Sequence, residues 1–288
     1  MNLFCFGFGQ VAKSFVKQLK FQQVNFKLTT TSRTKTEMKN FENTEYQNFL
    51  FDGEEYDKNL DKSLQQADHI LVSIPPINSS DIVIKKFNNK LNHSNKKWIT
   101  YLSATSVYGN HNGKWVDENS ITNPTSINGV NRLKAEQSWL SLFQKFKSPI
   151  QIFRLSGIYS NQFNILNRLK RGEAKIIKKQ NHFFSRIHVE DIAKVLFQSL
   201  NNFKEGEVYN ISDDKPSSTE EVTRFAIKLL NCKEPEIIQY TEIKNEMMKS
   251  FYNDSKKVNN KKMKEFFKVK LQFPTFKEGL SYINDHSS

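Results

Sequence analysis

The first twelve residues hold the pattern best suited to chemistry. Met1-Asn-Leu-Phe-Cys-Phe-Gly7-Phe-Gly9-Gln-Val-Ala12 reads as G-x-G-x-x-A behind a short apolar run. Gly7 permits a tight turn, and Gly9 removes the Cβ that would hold a backbone away from a pyrophosphate. Ala12 lets a following helix lie close against a sheet. Phe8, Gln10 and Val11 complete the turn, and the amides near residues 9–12 would face the phosphates at a helix N-terminus. The competing reading is an ordinary strand–helix corner that needs glycine for steric reasons. Against it stand the apolar strand at 3–6 and the helical spacing of Val11, Phe15, Val16 and Leu19.

The second strand ends Thr29-Thr-Thr-Ser-Arg33. A site for NAD would carry an acidic residue about 20 positions beyond the glycines, to hold the ribose hydroxyls. No carboxylate stands there. Ser32 and Arg33 offer a hydroxyl and a guanidinium, which suit a 2′-phosphate. NADP is therefore the expected coenzyme. NAD is the alternative, with Arg33 a solvated turn residue. Asp52, after the third strand, is placed to touch the adenine, and Ser73, Ile74 and Pro75 end the fourth strand beside the adenosine half.

The elements that must position these residues alternate. Strands are expected at 3–6, 24–31, 48–51, 69–74, 98–103 and 150–154, with helices at 10–20, 60–67, 81–91 and 129–146 between them. A loop rich in Gly, Asn and Asp covers 109–128. Such alternation implies an α/β fold with a doubly wound parallel sheet, the Rossmann arrangement. Beyond Gly157 the pattern loosens. Residues 160–185 read as irregular, 186–193 as a helix start, 207–211 as a strand, 217–230 as an amphipathic helix capped by Ser218 or Thr219, and 274–283 as a closing helix. The expected division is a dinucleotide-binding domain of residues 1–159 plus about 186–212, and a smaller C-terminal substrate lobe of about 160–185 and 213–288.

Composition bounds the rest. The 288 residues are 37% hydrophobic and 25% charged, and no apolar run is long enough to span a bilayer. Cys5 and Cys232 offer neither a disulfide framework nor metal spacing. The opening residues read as a core strand, not a leader, so a cytoplasmic protein with no membrane partner is expected. The formal charge of +13 raises a nucleic-acid partner, but the lysines are scattered among asparagines. The dense stretch at 256–264 reads as a solvated helix face, so no nucleic-acid partner is expected.

Several stretches together resemble the extended short-chain dehydrogenase/reductase superfamily, the NAD-dependent epimerase/dehydratase group, and in particular its atypical branch. They are Gly7–Ala12, Leu71-Val-Ser-Ile-Pro-Pro76, Tyr101-Leu-Ser-Ala-Thr-Ser-Val-Tyr-Gly109, Arg132-Leu-Lys-Ala-Glu136, Arg154-Leu-Ser-Gly-Ile-Tyr159 and Ser185-Arg-Ile-His-Val-Glu-Asp191. Tyr209-Asn-Ile-Ser-Asp-Asp and Phe273-Pro-Thr-Phe-Lys-Glu-Gly-Leu280 extend the likeness over nearly the whole chain.

The resemblance implies a Tyr-x-x-x-Lys pair on one helix face plus a Ser or Thr, with the lysine lowering the tyrosine pKa so that it relays a proton. Here Arg132 stands at the lysine position, Asn128 at the tyrosine position and Ala104 where the hydroxyl belongs, flanked by Ser103 and Thr105. A carboxamide gives up no proton near neutral pH, and a guanidinium stays charged. The standard relay is therefore absent. Tyr108 is the best surrogate acid, its alternative being packing within the Val107-Tyr108-Gly109 turn. Tyr159, His111, His188 and Asp117 are the other titratable residues expected near the sheet edge. His188 is more simply a core histidine and Asp191 a helix N-cap.

Ser103, Arg132 and Gly157 are counted with the coenzyme contacts. The expected function is an NADP-dependent oxidoreductase or epimerase acting on a small polyol or nucleotide-sugar-like substrate. The alternative is a non-catalytic dinucleotide-binding sensor or regulator. The resemblance also implies a homodimer formed through the helix at 129–146.

Overall fold

A computed structural model describes residues 1–77, 80–92 and 95–286. In chain order the elements begin with β1 (Asn2–Phe6), α1 (Gln10–Phe21), β2 (Lys27–Ser32), β3 (Glu37–Phe41), β4 (Thr44–Leu50), α2 (Asn59–Gln66), β5 (His69–Val72), α3 (Ile82–Leu91) and β6 (Trp98–Ala104). Next come β7 (Trp115–Val116), α4 (Ile127–Phe146), β8 (Ile150–Leu155), β9 (Gly157–Tyr159), α5 (Ile165–Lys170), β10 (Ile176–Lys178), β11 (Arg186–His188), α6 (Val189–Asn201) and β12 (Val208–Ile211). The chain closes with α7 (Thr219–Leu230), β13 (Ile237–Gln239), α8 (Glu246–Phe251), β14 (Lys257–Val258), α9 (Lys261–Phe267) and α10 (Phe276–Asp285).

The chain forms two compact units. The first comprises residues 1–104, 130–154 and 192–209, and the second comprises 105–129, 155–191 and 210–288. The eight-stranded sheet has the order β12-β8-β6-β5-β1-β2-β4-β3. The β1 pairings with β2 and β5, and those of β2 with β4 and β5 with β6, are parallel. The mostly parallel sheet with interleaved helices is the doubly wound α/β architecture expected from the alternation.

Strands covered on both faces must be apolar throughout, and Leu3–Phe6 and Ile70–Val72 are fully buried. The first unit's core joins Phe4, Phe6, Phe51, Phe87, Trp139 and Ile152, among others. Asp81 caps α3 by accepting from the Val83 and Ile84 amides, while its other oxygen accepts from Trp139 Nε1 at 3.0 Å. One buried carboxylate thus starts α3 and fixes α4 against it. The second unit gathers Tyr159, Leu166, Val222, Ala226, Phe276 and Leu280 into its own core. Ser218 caps α7, accepting from the Glu221 amide, and Asn231 ends that helix in the left-handed region.

Four local expectations are corrected. The third strand is the second arm of a hairpin, β3–β4, paired antiparallel and turned at Glu42 and Asn43, both at positive φ. Its polar, half-exposed residues masked it. Residues 186–188 are not helical: β11 pairs with β9, and α6 starts at Val189. Asp191 is therefore no N-cap; its carboxylate accepts from the Gln272 and Phe273 amides at 2.7 and 2.9 Å. Residues 256–264 are not simply a solvated helix face, because Lys256 is nearly buried and donates to the Gly109 carbonyl.

Candidate functional site

The turn between β1 and α1 is built from the backbone up. Gly7 sits at φ +82°, where an L side chain is strained. A Cβ there would lie 2.7 Å from Ile74 Cγ2 and 2.9 Å from Ser73 Oγ. The Gly7 amide donates to Thr31 Oγ1 at 3.0 Å, and Ser73 Oγ donates to the Phe6 and Gly7 carbonyls at 3.0 and 3.1 Å. The ends of β2 and β5 therefore clamp the turn from both sides.

Gly9 is the N-cap of α1 and is exposed, with open space where a Cβ would go. Among the described residues no side chain caps the helix, and its first turn holds no acidic residue. A helix start of this kind presents its backbone dipole and amides to an anion. Gln10 is half-buried at the first helical position, while Val11 and the fully buried Ala12 pack α1 on the sheet. Phe8 leans the other way, its ring 5.4 Å from Phe41 and 5.1 Å from Tyr46 of the β3–β4 hairpin.

At the end of β2, Ser32 is half-buried and Arg33 exposed. A cleft of about 610 Å³ opens here, lined by Thr34, Lys35, Thr36, Leu50 and residues 54–58. Asp52 serves its own turn: Oδ1 accepts from the Glu54 and Glu55 amides at 2.9 and 2.8 Å. The Glu55 amide first, then that of Glu54, holds this carboxyl below the usual range. Ile74 packs on Gly7, and Pro75 is exposed.

The end of β6 is built differently. Ser103 is buried and donates to Glu136 Oε1 at 2.6 Å. Glu136, on α4, is bound at its other oxygen by Arg154 Nη2 at 2.7 Å, and Arg154 Nε donates to both oxygens. Arg132 Nη1 donates to the Leu102 carbonyl at 2.5 Å and to Tyr101 Oη at 3.2 Å. Burial pushes the Tyr101 phenol far above its ordinary range, so it stays a neutral partner. Asn128 is exposed, one turn ahead of Arg132 on α4.

In the second unit, Tyr108 is fully buried and donates to Asn210 Oδ1 at 2.8 Å. His188 is also fully buried; burial lowers its pKa to about 4, and Nδ1 accepts from the Glu190 amide at 3.3 Å. Gly157 is exposed at the start of β9.

Gly7–Ala12, Ser32, Arg33, Asp52 and Ser73–Pro75 all fall in the first unit, at the β1, β2, β4 and β5 ends. Sequence reading missed the groups that hold these ends, Thr31 and Asn48, and the one that holds the β6 end, Glu136. Thr31 and Asn48 are polar residues inside strands, and that placement was their only signal.

The fold, with its large mostly parallel sheet, defines the Rossmann-type class of α/β protein. The pattern of the NAD dependent epimerase/dehydratase family matches residues 89–212. The chain is 31% identical to a functionally unknown conserved protein from Silicibacter pomeroyi DSS, over 99% of this chain and 98% of that one, with a TM-score of 0.86. It also resembles dTDP-glucose 4,6-dehydratase from Bacillus anthracis str. Ames in complex with NAD (18% identity, TM-score 0.77, 99% and 96% of the two chains). UDP-glucuronic acid 4-epimerase from Bacillus cereus, also in complex with NAD, is similar at 16% identity and TM-score 0.79 (99% and 98%). No match to a curated protein was found. The chain belongs to the NAD-dependent epimerase/dehydratase family. Among the described residues no helix is long and apolar enough to cross a membrane.

Proposed function

We propose that the chain binds NADP(H) in its first unit and acts as an oxidoreductase or epimerase on a small polyol or nucleotide-sugar-like substrate. The observation that carries this reading is the Gly7 turn, in which Thr31 and Ser73 fix a backbone that only glycine fits, ahead of an uncapped helix. The α1 amides would hold the pyrophosphate, and Ser32 and Arg33 the 2′-phosphate. Bound there, the nicotinamide would supply or accept a hydride.

The chain's own residues then define an unusual proton economy. Asn128 can orient a carbonyl or hydroxyl by hydrogen bonding but cannot move a proton. Arg132 supplies fixed positive charge while anchored to the end of β6. Ser103 has its proton committed to Glu136, and Tyr108 to Asn210. The proton that accompanies hydride transfer would therefore pass between substrate and solvent. Nucleotide-sugar substrates are favoured because similar structures carry the names of nucleotide-sugar epimerases and dehydratases. Residues of about 160–185 and 213–288, which fall in the second unit, are assigned as the substrate lobe.

The same commitments favour a second reading, a dinucleotide sensor without turnover. One experiment separates them: NADPH oxidation followed at 340 nm against a panel of aldehydes, ketones and nucleotide sugars. Consumption with any member supports the enzyme and removes the sensor. Tight binding with no consumption across the panel supports the sensor.

A further inference from the structure

We propose that Asn48 is a specificity-determining positioning residue, whose buried carboxamide leaves a hydroxyl hydrogen at the Ser32–Thr34 pair for an anion on the coenzyme ribose. The inference rests on the coenzyme reading above and explains how this chain's β2 end would select a 2′-phosphate.

Asn48 lies on β4 opposite Thr30 of β2 and is almost fully buried. Its orientation follows from its partners. Nδ2 donates to the Lys35 carbonyl at 2.7 Å, and a carbonyl can only accept, so the nitrogen must point there. On the other side, Oδ1 accepts from Thr30 Oγ1 at 3.0 Å. The remaining Nδ2 hydrogen reaches Ser32 Oγ at 2.9 Å. A buried amide engaged on both sides is held in one orientation.

The consequence falls on Ser32. Its oxygen already accepts from Asn48, so its hydrogen must point elsewhere. The neighbouring hydroxyl is Thr34 Oγ1 at 3.1 Å, and either oxygen can donate to the other. If Thr34 donates, the Ser32 hydrogen remains; if Ser32 donates, the Thr34 hydrogen remains. In both cases, among the described residues, one hydroxyl hydrogen is left for an acceptor; residues 29–33 themselves carry no carboxylate to receive ribose hydroxyls, although Glu54, Glu55 and Asp57 also line the cleft.

The turn is pinned as well. Phe51 N donates to the Ser32 carbonyl at 2.8 Å, Leu50 N donates to Thr36 Oγ1 at 3.0 Å, and Asn48 holds Lys35. Between these ties Arg33 is exposed. A positioned hydroxyl donor next to a guanidinium on a fixed turn recognises a phosphate dianion.

The test is calorimetric titration at pH 8 of wild type, Asn48→Asp and Ser32→Ala with NADPH, NADH, 2′,5′-ADP and ADP. Aspartate is isosteric but only accepts, so it draws the Ser32 hydrogen inward and adds a negative charge. Asn48→Asp is expected to raise the Kd for NADPH and 2′,5′-ADP at least about tenfold, with NADH and ADP held within about twofold. Ser32→Ala is expected to shift the same ratio in the same direction by about threefold to fivefold.

Equal weakening of both coenzyme types, or an unchanged ratio, would make Asn48 merely structural and overturn the inference. Should Asn48→Asp fail to fold, the Ser32→Ala ratio decides. Wild type that takes up neither coenzyme overturns the coenzyme reading itself, an outcome distinct from binding whose ratio the variants leave unmoved.

Discussion

The first unit treats two of its strand ends in opposite ways. Where β1 ends, the groups on offer are backbone: a glycine turn held from below by Thr31 and Ser73, then an uncapped helix. Where β6 ends, the polar side chains are already spoken for, Ser103 by Glu136, Glu136 by Arg154, and Arg132 by Leu102. On the proposed reading, the first end is the one that receives the coenzyme. The second has become a clamp that ties β6, α4 and β8 together. Coenzyme binding, so read, belongs to the first end, and the side chains at the second serve to hold the fold together.

The largest effect is expected from breaking the clamp. Glu136→Gln leaves the buried Arg154 guanidinium without its counter-charge, at a cost of about 3–5 kcal/mol in stability. Urea denaturation reads that loss directly. Coenzyme affinity of the folded fraction should change little, which would keep the two strand ends distinct; parallel loss of affinity would join them.

The reverse experiment strikes the receiving end. Gly7→Ala puts a Cβ against Ile74 and Ser73 at a positive φ, and NADPH affinity should fall about 100-fold, or about 2.7 kcal/mol. Retained affinity by titration would mean the turn does not approach the coenzyme.

The two units also contrast in how they bury charge. Glu136 is paired, whereas Asp213 of the second unit is 1% exposed and its Oδ2 has no hydrogen-bond partner among the described residues. Burial lifts its pKa from 3.8 to about 8. The folded state therefore holds a proton that the unfolded chain has released between about pH 4 and pH 8. Stability from this group falls as pH rises through that window and levels off above it. Relative to Asp213→Asn, wild type should lose about 1 kcal/mol per pH unit between pH 5 and 7. Parallel stability curves for the two proteins would show that Asp213 finds a partner in solution.

The smallest effect is expected from Arg132→Lys. A single ammonium cannot reproduce the guanidinium's two contacts to Leu102 and Tyr101, and about 1 kcal/mol of stability should go. A melting temperature equal to wild type would remove Arg132 from the clamp.

What was legible in the sequence follows the same division. The glycine turn could be read because it lies in contiguous chain: two glycines, an alanine and an apolar helix face. The doubly wound sheet could be read because its strands are apolar runs set between amphipathic helices. The clamp could not, since Ser103, Glu136 and Arg154 meet only through the fold. The β3–β4 hairpin escaped because residues 33–47 are mostly polar and its turn uses Glu42 and Asn43, not a glycine. β11 escaped because three residues are too few to show a period, and the following Val189–Asn201 helix lent them its own.

Isothermal titration of the wild-type chain with NADPH and with NADH tests the central claim most directly. The expected result is one site per chain with micromolar affinity for NADPH and at least about tenfold weaker affinity for NADH. No heat of binding with either coenzyme at millimolar concentration would contradict it.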